Sequence, residues 1–330
     1  MAVVDSFQFL YREISRSCSF YLETLALVGA LYTASKVVIL VRDCCTLVRV
    51  HLLPRMIPTK RLTQKFGDWA VINGASESVA RAYAEELARH GVSIIFVTQD
   101  NASFRDTATS LSQSYGVETV LVLADLSLNL LDSKPIKEAL RGKDIGFLVN
   151  CMDESLASPQ NLIEMPEQGL LELVNKNVAL ATLMTRLVLP GMLERCRGAV
   201  VNISSGACCR PLPGRVTLTA SAGYLDHFSR ALHLEYSGRG IFVQSLIPFQ
   251  PSSSTASSRQ GWFAPKPDVY AHHAISTLGV SHRTTGYWPH TLQYALMRCI
   301  PEWIWVLGSR MLLRKRNLEK ECFKCFIPKT

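Results

Sequence analysis

The sequence predicts an α/β protein built on a doubly wound parallel sheet. Three observations point there. Six short runs are almost wholly apolar and rich in β-branched residues: Trp69–Asn73, Ser93–Thr98, Thr119–Ala124, Gly146–Asn150, Ala199–Ser204 and Ile241–Pro248. The pieces between them carry helical spacing, Val79–His90 and Leu170–Glu194 most plainly, so strand and helix alternate along the chain. Near-continuous apolar strands belong to a parallel sheet covered by helices on both faces. The crossovers that join such strands are nearly always right-handed, which gives the doubly wound arrangement.

Composition sets the outer limits. With 330 residues, 48% of them hydrophobic, the chain holds one large domain with extensions and is not a disordered polymer. A formal charge of +8 raises nucleic acid as a partner, but Lys and Arg are scattered, and the tightest cluster, Arg314-Lys315-Arg316, follows an apolar stretch. That pattern suits an anionic membrane surface and argues against nucleic acid. The ten cysteines lie at irregular positions and include two adjacent pairs, Cys44-Cys45 and Cys208-Cys209, which no small disulfide framework produces. Cys322 and Cys325 form one C-x-x-C without a second ligand pair, so no metal site is expected.

Residues 1–60 read as an apolar and basic extension ending in a linker. Thr24 to Ser35 carries no charge, and Val37 to Val41 continues the apolar run, with Glu23 and Lys36 bracketing the first part. A full span needs about 20 mostly apolar residues. The stretch fits a span with charges near its ends, a helix lying in the interface, or a buried helix docked on the domain. It lacks the small-residue cleavage site of a secretory signal. The linker is His51 to Lys60, with Pro54 and Pro58. Residues 61–285 hold the alternating segments, closing with a helix-like Val269–Val280. Residues 286–330 are aromatic and basic, from Tyr287-Trp288-Pro289 through Trp303–Leu307 to Met311-Leu312-Leu313. A helical, membrane-facing tail and a tail packed on the core both fit this composition.

The chain is organised around Val201 to Tyr224. A β-branched run ends in Ser204-Ser205-Gly206, a Pro/Gly-rich connection follows, and a helix-like segment begins near Thr217. Upstream, the first strand runs into Asn73-Gly74-Ala75-Ser76-Glu77-Ser78-Val79-Ala80, the place where a glycine-rich turn would offer backbone N–H groups to a diphosphate. These two segments, with Asp125 in Ala124-Asp125-Leu126-Ser127 and Asn150 at the end of the fourth strand, resemble the short-chain dehydrogenase/reductases. The strings Ala82–Ala88, Leu189–Met192 and Tyr224–Leu232 resemble the branch of 17β-hydroxysteroid dehydrogenases and 3-oxoacyl-CoA reductases. The resemblance covers roughly residues 65 to 285 and implies a Rossmann-like sheet.

It also implies roles for residues and shows where they are missing. In the family a serine polarises a carbonyl, an asparagine anchors a proton-relay water, and a Tyr-x-x-x-Lys pair supplies the proton and tunes its donor. Ser205 and Asn177 match the serine and the asparagine. Thirteen residues after Ser205 stands Leu218 in place of tyrosine, and four further on Ala222 in place of lysine. Leucine has no titratable proton and alanine no charge. Tyr224 and His227 lie about 240° and about 180° round the helix from Leu218, facing away from it. Cys208 and Cys209 have no His or Asp at a diagnostic spacing and read as loop or core thiols.

The cofactor motif is eroded as well. Gly74 survives from the glycine turn, with Ser78 and Ala80 at the other small positions and Glu77 placing an anion close by. Thr98-Gln99-Asp100 offers no cation for the 2′-phosphate of NADP, while Asp100 suits a ribose hydroxyl as in NAD-binding relatives. Asp125 matches an adenine-contacting aspartate and equally an N-cap. Where the family has Asn-Asn-Ala-Gly, this chain has Asn150-Cys151-Met152-Asp153, and Met152 and Asp153 crowd the place of small residues. The expectation is a catalytically inactive, membrane-associated dehydrogenase-like protein with an interaction or scaffold role and no bound cofactor, or NADP or NAD if any.

Two alternatives stay open: residual NAD(P)H-dependent ketone reduction on steroid or fatty-acyl substrates, and a lipid- or steroid-binding module without turnover. The resemblance further implies self-association through the long helices Leu170–Glu194 and Val216–Tyr236, and a mitochondrial location, with the endoplasmic reticulum membrane as alternative.

Overall fold

The computed structural model describes residues 2–56, 62–74, 78–98, 102–123, 134–153, 162–249 and 261–311. The chain divides into two compact units, Met1–Leu52 and Leu53–Thr330.

The first unit is one helix, α1 (Ala2–Leu47), continuing into a π-helical turn, Val48–Leu52. The expected apolar stretch is the central part of this helix, where Leu25, Leu27, Val28, Leu31, Val38 and Leu40 are all exposed. The segment Glu23–Leu52 is long and apolar enough, by length and composition, to cross a membrane. Its 30 residues at about 1.5 Å each reach roughly 45 Å, more than the ~30 Å hydrocarbon layer.

The second unit opens with two short helices, α2 (Leu53–Met56) and α3 (Leu62–Phe66). The expected linker is therefore helical over its first half as far as it is described, since leucine, arginine and methionine are good helix formers. Then come β1 (Trp69–Asn73), α4 (Ser78–Arg89), β2 (Ser93–Thr98), α5 (Ala102–Tyr115), β3 (Thr119–Leu123), α6 (Lys134–Leu140) and β4 (Ile145–Cys151). The second half runs through α7 (Glu167–Val174), α8 (Leu180–Glu194), β5 (Gly198–Ile203), α9 (Val216–Tyr236), β6 (Ile241–Leu246), α10 (Pro267–Ser276), β7 (Arg283–Thr284) and α11 (Trp288–Cys299). Residues 302–311 form a further helical stretch.

The sheet has seven strands in the order β3-β2-β1-β4-β5-β6-β7, and all its pairings are parallel. All six expected strands are present, and β7 is the addition. Two residues, Arg283 and Thr284, are too short and polar for a pattern; pairing with Ser245 and Leu246 makes them a strand. Successive side chains alternate between two cores. Ala70, Ile72, Phe96, Phe147, Val149 and Val201 face one layer with α4 and α10. Val71, Ile95, Val97, Leu148, Val200 and Val243 face the other, with α8 and the end of α9. This double burial explains why the runs read as continuous rather than alternating.

The helix expected over Leu170–Glu194 departs from that reading. It is two helices joined by a π-helical turn, Asn175–Ala179, and it starts earlier, at Glu167. The wider turn surrounds Asn177, whose amide is held outside the helix by the backbone of Asp153. The tail is helical over Trp288–Cys299 and again over residues 302–311, and it packs on the domain in part. Pro289 and His290 are buried and the Trp305 indole N–H donates to the Pro211 carbonyl at 2.9 Å, so part of it packs on the domain. Leu292, Leu296, Trp303, Ile304, Leu307 and Met311 remain exposed.

Candidate active site

The C-terminal ends of β1, β4 and β5 carry asparagines in register, Asn73 beside Asn150 and Asn150 beside Asn202. Their side chains form a buried chain of amides. Asn73 Nδ2 donates to Asn150 Oδ1 at 3.4 Å, Asn150 Nδ2 to Asn202 Oδ1 at 2.8 Å, and Asn202 Nδ2 to Ser229 Oγ at 2.8 Å. Asn150, expected to serve a dinucleotide, is thus a member of the sheet's internal network and is 1% exposed. A signal for this ladder stands in the sequence, because three apolar runs each contain Asn at or near their end. Their common register is set by the sheet.

Gly74 leaves β1 at φ +77°, and a Cβ there would collide with the carbonyl oxygen of Cys151. The glycine is required by the close approach of two strand ends, whatever else the turn does. Residues 75–77, Gln99, Asp100 and Asp125 lie outside the described residues. Ala80 is fully buried in the core beneath the sheet.

At the end of β4, where the family resemblance would bring a nicotinamide, the side chains are closely packed. The side chain of Met152, 3% exposed, packs in one apolar cluster with Leu173, Ala181, Ala207, Leu218, Ala222 and Leu225. Asn177 is committed at both ends of its amide: Oδ1 accepts from the Asp153 backbone N–H at 2.7 Å, and Nδ2 donates to the Asp153 carbonyl at 3.1 Å. The Asp153 carboxylate is buried within 3.7 Å of Lys176 Nζ, which also pairs with Glu172 at 2.8 Å. Met152 thus sits in an apolar cluster, and the Asp153 carboxylate next to it pairs with a half-buried Lys176.

Leu218 and Ala222 belong to the same cluster, whereas Ser205 is half-buried outside it. Ser205 caps the 3₁₀ turn Gly206–Cys209, its Oγ accepting from Ala207 N–H at 3.4 Å. Leu218 and Ala222, one helical turn apart on α9, are 2% and 0% exposed. Tyr224 faces outward, its hydroxyl within 2.7 Å of Thr182 Oγ1 and its ring stacked on Phe228, and His227 is exposed. Neither reaches the position of the missing tyrosine.

Above Leu218 lies a cavity of about 600 Å³. Its walls come from Leu212, Phe249, Phe263, Leu296, Met297, Ile300 and Trp305, with Ser205, Arg210 and Arg215 also on its lining. Arg210 donates to the carbonyls of Met297 and Ile300 at 3.0 and 2.6 Å, tying the end of α11 to the turn after β5. His290, fully buried behind the wall, accepts from the Phe249 backbone N–H on Nδ1 at 3.3 Å. Its Nε2 therefore carries the proton toward the Phe263 carbonyl, also at 3.3 Å. Burial drives its pKa down to about 4, against a smaller opposing effect of that carbonyl. No local pattern marks this cavity, because its walls come from segments up to a hundred residues apart.

Comparison with known proteins places this architecture. The family model for short chain dehydrogenase matches residues 68–260. Inactive hydroxysteroid dehydrogenase-like protein 1 of Danio rerio is 54% identical over 314 residues, covering 94% of this chain and 98% of that protein. The Homo sapiens protein of the same name is 48% identical over 330 residues, covering 98% and 99%. Very-long-chain 3-oxoacyl-CoA reductase of Rattus norvegicus is 35% identical and covers 78% of this chain and 84% of its own.

Among solved structures, a 7beta-hydroxysteroid dehydrogenase superposes with a TM-score of 0.68 at 22% identity, over 76% of this chain and 99% of its own. A short-chain dehydrogenase from Sphingobium yanoikuyae in complex with NADPH gives 0.57 at 23% identity, over 71% and 96%. These two share the fold. The relatives named inactive bear out the reading of a dehydrogenase-like protein that has lost the reaction. With the sheet order, the family model and relatives aligned over nearly the whole length in agreement, the chain belongs to the short-chain dehydrogenase family.

Proposed function

We propose that this protein is a pseudoenzyme that keeps the dehydrogenase fold as a membrane-associated interaction or scaffold protein and turns over no ketone. The observation that carries the reading is the apolar cluster in which Leu218 and Ala222, at the positions of proton donor and tuner, pack with Met152 where a nicotinamide would lie. Losing a general acid alone costs about 10²–10⁴ in rate. Here the acid is gone and the ring's place is filled, so we propose that no dinucleotide binds productively. Ser205 and Asn177 are in this reading structural remnants, one capping a turn and the other clamping Asp153.

Self-association is part of the proposal. Support comes from apolar side chains left exposed on α7, α8 and α9, namely Leu171, Leu183, Val216 and Tyr224. Membrane association draws support from the apolar segment of α1, and the proposed location is the mitochondrion, with the endoplasmic reticulum membrane as alternative.

The test is titration of the purified full-length protein with NADPH and NADH, read by nucleotide fluorescence and thermal shift, followed by assays on steroid ketones and 3-oxoacyl-CoA. Neither nucleotide is expected to stabilise the fold, and no turnover is expected. Leu218→Tyr with Ala222→Lys is expected to remain silent, because Met152 and Asp153 still close the nicotinamide side. Ketone reduction by the unmodified chain would refute the reading.

A second reading rests on the cavity, whose size and apolar walls suit a steroid or a single acyl chain. Stabilisation by such a molecule without any nucleotide would favour a lipid- or steroid-binding module.

A further inference from the structure

We propose that Cys208 and Cys209 are a redox-active vicinal dithiol, a modification site that hydrogen peroxide closes reversibly into a disulfide between neighbouring residues. The first ground is geometric. Their sulfurs lie 3.6 Å apart at the end of the 3₁₀ turn Gly206–Cys209, and Arg210 leaves that turn in extended conformation, at φ −148° and ψ 136°. Adjacency in sequence does not by itself produce this. Cys44 and Cys45 are also neighbours, but they sit on the α-helix α1, where consecutive side chains diverge by about 100°.

The second ground is chemical. Both thiols are half-buried, open enough for a small oxidant, whereas Cys151 is buried in the core. The hydrogen bond between them raises the pKa of Cys208 and lowers that of Cys209. The Arg283 guanidinium also favours the Cys209 thiolate, against burial and the Asp226 carboxylate, which favour the thiol. One sulfur is thus disposed to attack while the other keeps its proton, an arrangement of nucleophile and resolving thiol.

The steps balance as follows. The Cys209 thiolate attacks one peroxide oxygen, the O–O bond breaks, and hydroxide leaves to become water with a proton from solvent. The resulting sulfenic acid is attacked by Cys208 sulfur; the S–O bond breaks, the S–S bond forms, and a second water departs with the Cys208 proton. Two electrons pass from the two sulfurs to the peroxide. Neighbouring Cα atoms across a trans peptide are about 3.8 Å apart, below the roughly 4.4–6.8 Å usual for disulfides. The bond is therefore strained, easily reduced by a dithiol, and suited to reversible modification rather than to bracing the fold. It would form one residue before Arg210, the side chain that anchors the cavity wall at Met297 and Ile300.

The experiment uses the full-length, reduced protein. Arg210 precedes Pro211, so trypsin releases Gly198–Arg215 as one peptide that holds both cysteines and no other. After peroxide and alkylation, that peptide is expected unalkylated and two hydrogens lighter, and after dithiothreitol it is expected to take two alkyl groups. In Cys208→Ser, the Cys209 sulfenic acid loses its partner and is expected to be trapped by dimedone. In the untreated wild-type protein, phenylarsine oxide is expected to protect the same peptide from alkylation, and Cys44→Ser with Cys45→Ser should leave that protection unchanged. Full alkylation of the peptide after peroxide would overturn the proposal. So would sulfinic acid accumulating there without disulfide, or an absence of protection by the arsenical.

Discussion

Leu218 shows at one side chain what the loss of the reaction means physically. It is 2% exposed among Met152, Ala207, Ala222 and Leu225, so it contributes as a core residue does. Leu218→Ala is expected to lower unfolding stability by about 2–5 kcal/mol, the usual cost of a large-to-small core change. Leu218→Tyr should cost about 1–3 kcal/mol through overpacking. Urea denaturation checks both, and a stabilising Leu218→Tyr would mean that the slot of the old tyrosine is still open.

His290 makes stability depend on pH. It is buried neutral with a folded pKa of about 4 against an ordinary 6.5. Between those values the unfolded chain binds a proton that the folded chain does not, so stability falls as the pH is lowered through that window. Protonation would also turn Nδ1 into a donor facing the Phe249 N–H. From pH 7 to pH 5 the loss from this group is expected to be roughly 2 kcal/mol. His290→Asn should flatten that part of the stability profile, and an unchanged slope in the variant would refute the assignment.

At the scale of elements, the end of the sheet is knitted by side chains rather than by backbone alone. Beyond the amide ladder, Ser245 on β6 donates to Asp226 Oδ1 at 2.7 Å, and Arg283 on β7 grips the same carboxylate with Nε at 2.9 Å and Nη2 at 3.2 Å. The pair ties α9 to the two last strands. Asp226→Ala leaves the Arg283 charge half-buried without its partner, and a loss of about 3–5 kcal/mol is expected. Ser229→Ala, which leaves the buried Asn202 N–H without its acceptor, should cost less, about 1–3 kcal/mol. Equilibrium unfolding of the two variants gives the order, and equal losses would argue against the ion pair as the stronger tie.

The same elements show what the sequence can carry. Apolar runs are local, so β1 and β2 are legible to the residue, and α9 keeps the bounds Val216–Tyr236. The position of Leu218 thirteen residues after Ser205 is a spacing, legible once the strand and helix around it are. Register between strands is not local. Asn150 could be matched to a family motif, yet only the pairing with Asn73 and Asn202 shows where its amide is used. The π-helical turn at Asn177 and the cavity wall from Phe249 to Trp305 depend on tertiary contacts in the same way.

For the whole molecule, charge and exposed apolar surface are the features on which the proposed membrane association rests. The net charge of +8 coexists with a helix whose segment Glu23–Leu52 meets the length and composition of a span and whose apolar side chains are exposed. Exposed apolar surface on that scale is costly in water and marks a membrane or a partner. The tail of the second unit repeats the chemistry more weakly: Trp303, Leu307 and Met311 are exposed, with Arg310 among them. If α1 is the anchor, a charge near its middle acts where water is scarcest. An arginine at the centre of a membrane helix costs about 2.5–3.5 kcal/mol, so Leu31→Arg combined with Val38→Arg should move the full-length protein from the membrane pellet toward the soluble fraction. Trp303→Ser with Leu307→Ser touches only interfacial contacts and should leave the protein in the pellet. Fractionation of the two variants side by side separates the anchors: release by the tail variant, with retention of the arginine variant, would transfer the membrane contact from α1 to the C-terminal helix.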